Sequence, residues 1–87
     1  MLFRFFKRKP VKFLGRGGVV YRYNDVDYLV DSEMSFNSDI DMVIFSDTIQ
    51  TKDNNMSLSN DQKRQVLESL VTYLSEKEKM KVKLFPK

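Results

Sequence analysis

The chain has 87 residues, a formal net charge of +3, 41% hydrophobic and 13% aromatic residues, and neither cysteine nor histidine. That length holds one domain and buries roughly 60 to 65% of the surface its unfolded form exposes, so the core is thin and the seven Phe and four Tyr must supply much of it. The missing residue types exclude disulfides, thiolate or imidazole zinc ligands, every nucleophile paired with an imidazole, and a histidine pH switch.

Residues 1–10, "MLFRFFKRKP", form a basic-aromatic leader, read as an edge strand or a flexible segment ahead of a single domain over residues 11–87. A secretory signal needs an uninterrupted apolar run of about 7 to 15 residues and a membrane span about 20, and neither is expected here. Phe3, Phe5 and Phe6 beside Arg4, Lys7, Arg8 and Lys9 offer a weak interfacial anchor at most.

Gly15, Gly17 and Gly18 mark a turn, after which "VVYRY" alternates with Val19, Tyr21 and Tyr23 on one side. Asn24 and Asp25 both tolerate left-handed backbone and predict a tight hairpin turn. That turn pairs Tyr23 with Val26, Arg22 with Asp27, Tyr21 with Tyr28, and Val19 with Val30. Val26, Tyr28, Val30 and Met34 then face inward, while Asp25, Asp27, Asp31 and Glu33 face outward beside Leu29. In the next strand Ile40, Met42 and Ile44 form one side, with Asp39 and Asp41 opening the other. Asp47 falls near a bend before "TIQ".

After a polar loop, Ser59 and Gln62 form a capping box with Asp61 in the first turn. Val66, Leu67, Leu70, Val71 and Leu74 follow at helical spacing, predicting a helix from Asn60 to about Lys77. "MKVKLF" then alternates Met80, Val82 and Leu84 against Lys79, Lys81 and Lys83, a half-buried strand with a lysine-lined outer side. The predicted architecture is α+β: a small antiparallel β-meander, one amphipathic helix packed on one face, and a C-terminal strand returning to the sheet.

Charge falls in three blocks. Residues 1–16 hold six bases and no acid, residues 17–51 hold seven acids and one base, Arg22, and residues 52–87 hold eight bases and five acids. The net charge therefore conceals an acidic middle.

The strings "GRGGVVYRYNDVDYLVDSEM", "DIDMVIFSDTI" and "LSNDQKRQVLESLVTYLSEKEKMKVKLF" resemble the immunity protein 74 family of bacterial polymorphic toxin systems. The resemblance spans residues 11–87 and lies in the Tyr28 to Met34 run, the aliphatic strand ending at Ile49, and the capped helix leading into a last strand. It departs after the third strand, where a Trp-Asp-Pro-Pro-like loop is replaced by "TKDNNM" at residues 51–56, which keeps one acid, Asp53. The resemblance implies a cytoplasmic antidote without enzymatic activity or cofactor, which binds a cognate toxin domain delivered by contact-dependent growth inhibition.

Carboxylates suit such a partner when it is basic, as a nuclease would be, because complementary charge accelerates association. The expected toxin-facing residues are Asp25, Asp27, Leu29, Asp31, Glu33, Asp39, Asp41 and Asp47, with an exposed tyrosine as a second apolar anchor. Three other readings of the acids carry less weight. "DVD" and "DID" lack the converging loop a hard cation requires, a carboxylate-pair hydrolase needs a deep cleft, and strand alternation by itself produces solvated acids. The alternative function is nucleic-acid binding by the leader and by Lys77, Lys79, Lys81 and Lys83, although the acidic middle repels a polyanion.

Overall fold

The computed structural model describes residues 9–15, 18–35, 38–53 and 58–86. Expectations for residues 1–8 and for residues 54–56 of the "TKDNNM" loop lie outside them. In chain order the elements are β1 (Val11–Phe13), β2 (Val19–Tyr23), β3 (Val26–Val30), β4 (Ser32–Met34), β5 (Met42–Phe45), a 3₁₀ turn (Ser46–Thr48), β6 (Gln50–Thr51), α1 (Asn60–Glu76) and β7 (Val82–Phe85).

The central hairpin has the register its turn residues predict. Asn24 and Asp25 take φ of +52° and +65°, the two successive left-handed residues of a type I′ turn. Tyr23 pairs with Val26, Arg22 with Asp27, Tyr21 with Tyr28, and Val19 with Val30. The Arg22 guanidinium donates to both carboxylate oxygens of Asp27, at 2.9 and 3.4 Å, which locks the register on the outer side. An exposed pair of this kind contributes about 0.2 to 1 kcal/mol.

β1 joins the outer edge of β2, and β6 adds to β3, completing an antiparallel sheet of order β1-β2-β3-β6. β1 is three residues long, too short for alternation to reveal it. The chain then bends at Asp31 into a second sheet of order β4-β5-β7. The C-terminal strand does return, but to this second sheet and as a parallel neighbour of β5. A parallel pair requires a long crossover, and α1 lies between β5 and β7 in the chain and supplies it.

α1 begins at the expected residue for the expected reason. Ser59 Oγ accepts from the Gln62 N–H, and the Gln62 side chain accepts from the Ser59 N–H, so two otherwise orphaned donors are satisfied together. Val66, Leu67, Leu70 and Leu74 are buried on its inner side, and Val71 is half-buried. They meet Val19, Tyr21 and Val30 of the first sheet and Met42 and Ile44 of the second, so the helix closes one core over both. Tyr21 also reaches the helix through a hydroxyl contact with Ser69.

Three residues expected inside are outside, and one of them, Leu84, is 39% exposed because its strand β7 is the edge of the second sheet. Met34 is 62% exposed, because it ends a three-residue strand at the edge of the second sheet, where the inner side opens into a groove with Phe13 and Met80. Val26 is 39% exposed, because it flanks the hairpin tip, beyond the reach of the core.

Candidate functional site

The expected partner-facing residues fall into three groups along the chain's path. Asp25 occupies the exposed hairpin tip. Asp27 is half-buried beside Arg22, and its carbonyl accepts from the Lys52 N–H, so its carboxylate already serves the sheet. Along the strand Asp25 lies about 20 Å and Asp27 about 13 Å from Asp31 at 3.3 Å per residue, so these two acids stand apart from it.

The middle group is the one the tertiary structure assembles. Leu29, Asp31 and Asp47 line a groove of about 360 Å³ together with Thr48, Ile49, Gln50 and Lys63. The Asp31 N–H donates to Thr48 Oγ1 at 2.8 Å, and that hydroxyl donates to the Phe45 carbonyl at 2.7 Å. In turn the Phe45 N–H donates to the Asp31 carbonyl at 2.9 Å. The bend at Asp31 and the 3₁₀ turn carrying Asp47 are thus fastened to each other through Thr48, and both carboxylates stay exposed. Leu29 is half-buried in the same wall.

Glu33, on β4, and Asp39 and Asp41, ahead of β5, make the third group, and all three are exposed. Asp39 and Asp41 lie in a turn and a bend rather than on the strand itself. The Asp41 carboxylate accepts from the Lys81 N–H at 2.8 Å, while its own N–H donates to the Lys81 carbonyl at 2.8 Å. Asp41 therefore fastens the entry of β5 to the entry of β7, a structural task in addition to any surface role.

The exposed tyrosine expected as an anchor is absent among the described residues. Tyr21 is buried, and Tyr23, Tyr28 and Tyr73 are half-buried against the core. A hairpin whose tyrosines share one face commits all of them to that face. Sequence reasoning also missed Thr48 and Lys63. Thr48 reads as a residue of a polar connection, and Lys63 as one base on the solvated side of a helix. Only the packing of α1 beside the 3₁₀ turn brings them to one groove.

Among the described residues no group of three or more His, Cys, Asp or Glu side chains is placed to hold a metal ion, and no helix is long and apolar enough to cross a membrane. No protein-family model, no curated protein and no solved structure matches this chain.

Proposed function

We propose that the chain is a cytoplasmic immunity protein that binds and blocks a basic toxin domain of a bacterial polymorphic, contact-dependent system, and that it works by occupancy rather than catalysis. The observation that carries this reading is the groove in which Asp31 and Asp47 flank Leu29. Two exposed carboxylates beside a half-buried aliphatic side chain suit the charged end and stem of a partner's Arg or Lys. Glu33, two residues on from Asp31, extends the negative field, and complementary fields of this kind raise association up to about 10⁸–10⁹ M⁻¹s⁻¹ at low salt. The hydrogen bonds through Thr48 support the reading as well, because a groove held in shape before binding loses less conformational freedom on binding.

The test is whether a large secreted protein is encoded beside this chain and whether its C-terminal domain captures the chain, followed by association kinetics. The double variant Asp31→Lys/Asp47→Lys alters two exposed side chains and spares the structural carboxylates of Asp27 and Asp41. It is expected to fold as before and to associate at least about tenfold more slowly. Association at the wild-type rate would remove the groove from the interface.

One observation favours a second reading. Lys79, Lys81 and Lys83 are all exposed at and before β7, a spacing that can follow a phosphate backbone. That reading expects salt-sensitive binding to arbitrary RNA or DNA, lost when the three lysines become Gln.

A further inference from the structure

Tyrosine aside, Ser32 is the one buried residue with a polar side chain among the described residues, at 8% exposure. It stands on the inner side of β4, opposite Ile44, and its hydroxyl has no hydrogen-bond partner among the described residues. The buried Tyr21 hydroxyl, by contrast, is matched with Ser69. Burying a hydroxyl without a partner costs stability, and buried polar groups are nearly always paired.

Ser32 lines a groove of about 290 Å³ whose other side chains are all apolar. Met34 and Met42, a cross-strand pair, stand on one side with Met80, and Phe13 closes the end of β1. Gly15 and Gly18 supply the remaining wall, and a Cβ at Gly15 would meet no atom within 4 Å, so bare backbone leaves the space open. Ser32 and the buried Met42 form the floor, while the exposed Phe13 and Met34 form the rim.

The wall defines the chemistry of an occupant. At about 30 Å³ for each water-sized unit the space takes about ten non-hydrogen atoms, the low end of small-molecule sites. Three thioethers make favourable contacts with aromatic rings, and the Phe13 ring adds edge or offset stacking. No charged side chain lines the groove among the described residues, so an ionised ligand would go unpaired. A partner's side chain would bring backbone amides that Phe13, Met34 and Met80 cannot satisfy, which favours a free molecule. We propose that this groove binds a small neutral aromatic molecule of about ten non-hydrogen atoms with one hydrogen-bonding group, which the Ser32 hydroxyl engages. It shares no residue with the groove of Asp31 and Asp47, so its occupancy does not depend on the toxin reading.

Indole is the probe, and indene, which has the same shape without the N–H group, is its control. Each is titrated into the full chain and followed through the methionine methyl signals in NMR spectra, with a Kd of about 0.1 to 1 mM expected for a ligand this small. Indole should shift the signals of Met34, Met42 and Met80 saturably, and indene should bind about two- to tenfold more weakly for want of one hydrogen bond. Ser32→Ala should abolish that difference by weakening indole and leaving indene unchanged, whereas Phe13→Ala should weaken both alike. Melting curves check that each variant is folded. The proposal is overturned if neither compound shifts the three methionines saturably, if both bind equally, or if folded Ser32→Ala keeps the preference for indole. Tighter binding of N-acetyltryptophanamide than of indole would also overturn it, by assigning the groove to a side chain of a partner.

Discussion

Gly18 stands against the carbonyl oxygen of Val30 so closely that a Cβ at this position would lie 2.3 Å from that oxygen and 3.1 Å from the Asp31 Cα. Its φ of +98° is one that side-chain-bearing residues rarely adopt. The contact falls where β3 hands the chain to the second sheet, so the glycine turn after β1 sets how closely the first hairpin sits on the bend. Gly18→Ala is expected to cost at least about 2 kcal/mol, through the clash and the strained backbone together. The urea midpoint measures this, and an unchanged midpoint would contradict the close approach.

Lys79 has the opposite relation to its backbone. Its φ is +56°, a left-handed conformation between α1 and β7, where the Met80 N–H donates to the Leu74 carbonyl at 3.0 Å and closes the helix end. A left-handed residue with a Cβ carries a cost of about 1 to 2 kcal/mol that glycine escapes, offset in part by glycine's greater freedom when unfolded. Lys79→Gly should therefore stabilise the fold by up to about 1 kcal/mol, or raise the melting temperature by about 4 to 8 °C for a domain of this size. A lower melting temperature would mean that the lysine side chain contributes more than its backbone costs.

The capping box is a third handle. Ser59→Ala removes the acceptor for the Gln62 N–H and should cost about 1 kcal/mol. Ser59→Asp keeps an acceptor and adds negative charge at the positive end of the helix dipole, so it should lose little or nothing. Equal losses in the two variants, measured by thermal melting, would show that the cap hydrogen bond contributes nothing here.

The Tyr73 phenol is held above its ordinary range, first by its burial and then by the neighbouring Glu78 carboxylate, to which it donates. Lys9, paired with Glu78 at 3.2 Å, acts in the opposite direction. The folded chain thus keeps this proton to higher pH than the unfolded chain does. Its contribution to stability is complete below the unfolded value near 10 and is lost as pH rises through the folded value. Between about pH 9 and 11 the wild type should lose stability more steeply than Tyr73→Phe, with denaturation followed at each pH. Parallel slopes would exclude Tyr73 as a source of the difference.

The hairpin and the helix were legible in the sequence because each is specified by residues near one another. Asn24 and Asp25 set the turn, the turn sets the register, and the register sends the side chains alternately to either face. Ser59, Gln62 and the 66, 67, 70, 74 spacing do the same for α1. Met34, β1 and the parallel β7 were not legible for the converse reason. A three-residue strand gives alternation too few positions, and nothing local tells a lysine-alternating strand which sheet will receive it or in which direction it will run.

The acidic middle divides along the same line. That Asp31 and Glu33 point away from the core follows from the sequence, because period-two alternation ties them to the buried Val30. That Asp47 stands beside Asp31 and Leu29, that Asp41 is taken up by the entry of β7, and that Lys63 joins the groove were decided only by tertiary structure. Those contacts join residues 16 to 40 positions apart, and they form only where the bend at Asp31, the 3₁₀ turn and the packed helix bring distant backbone together.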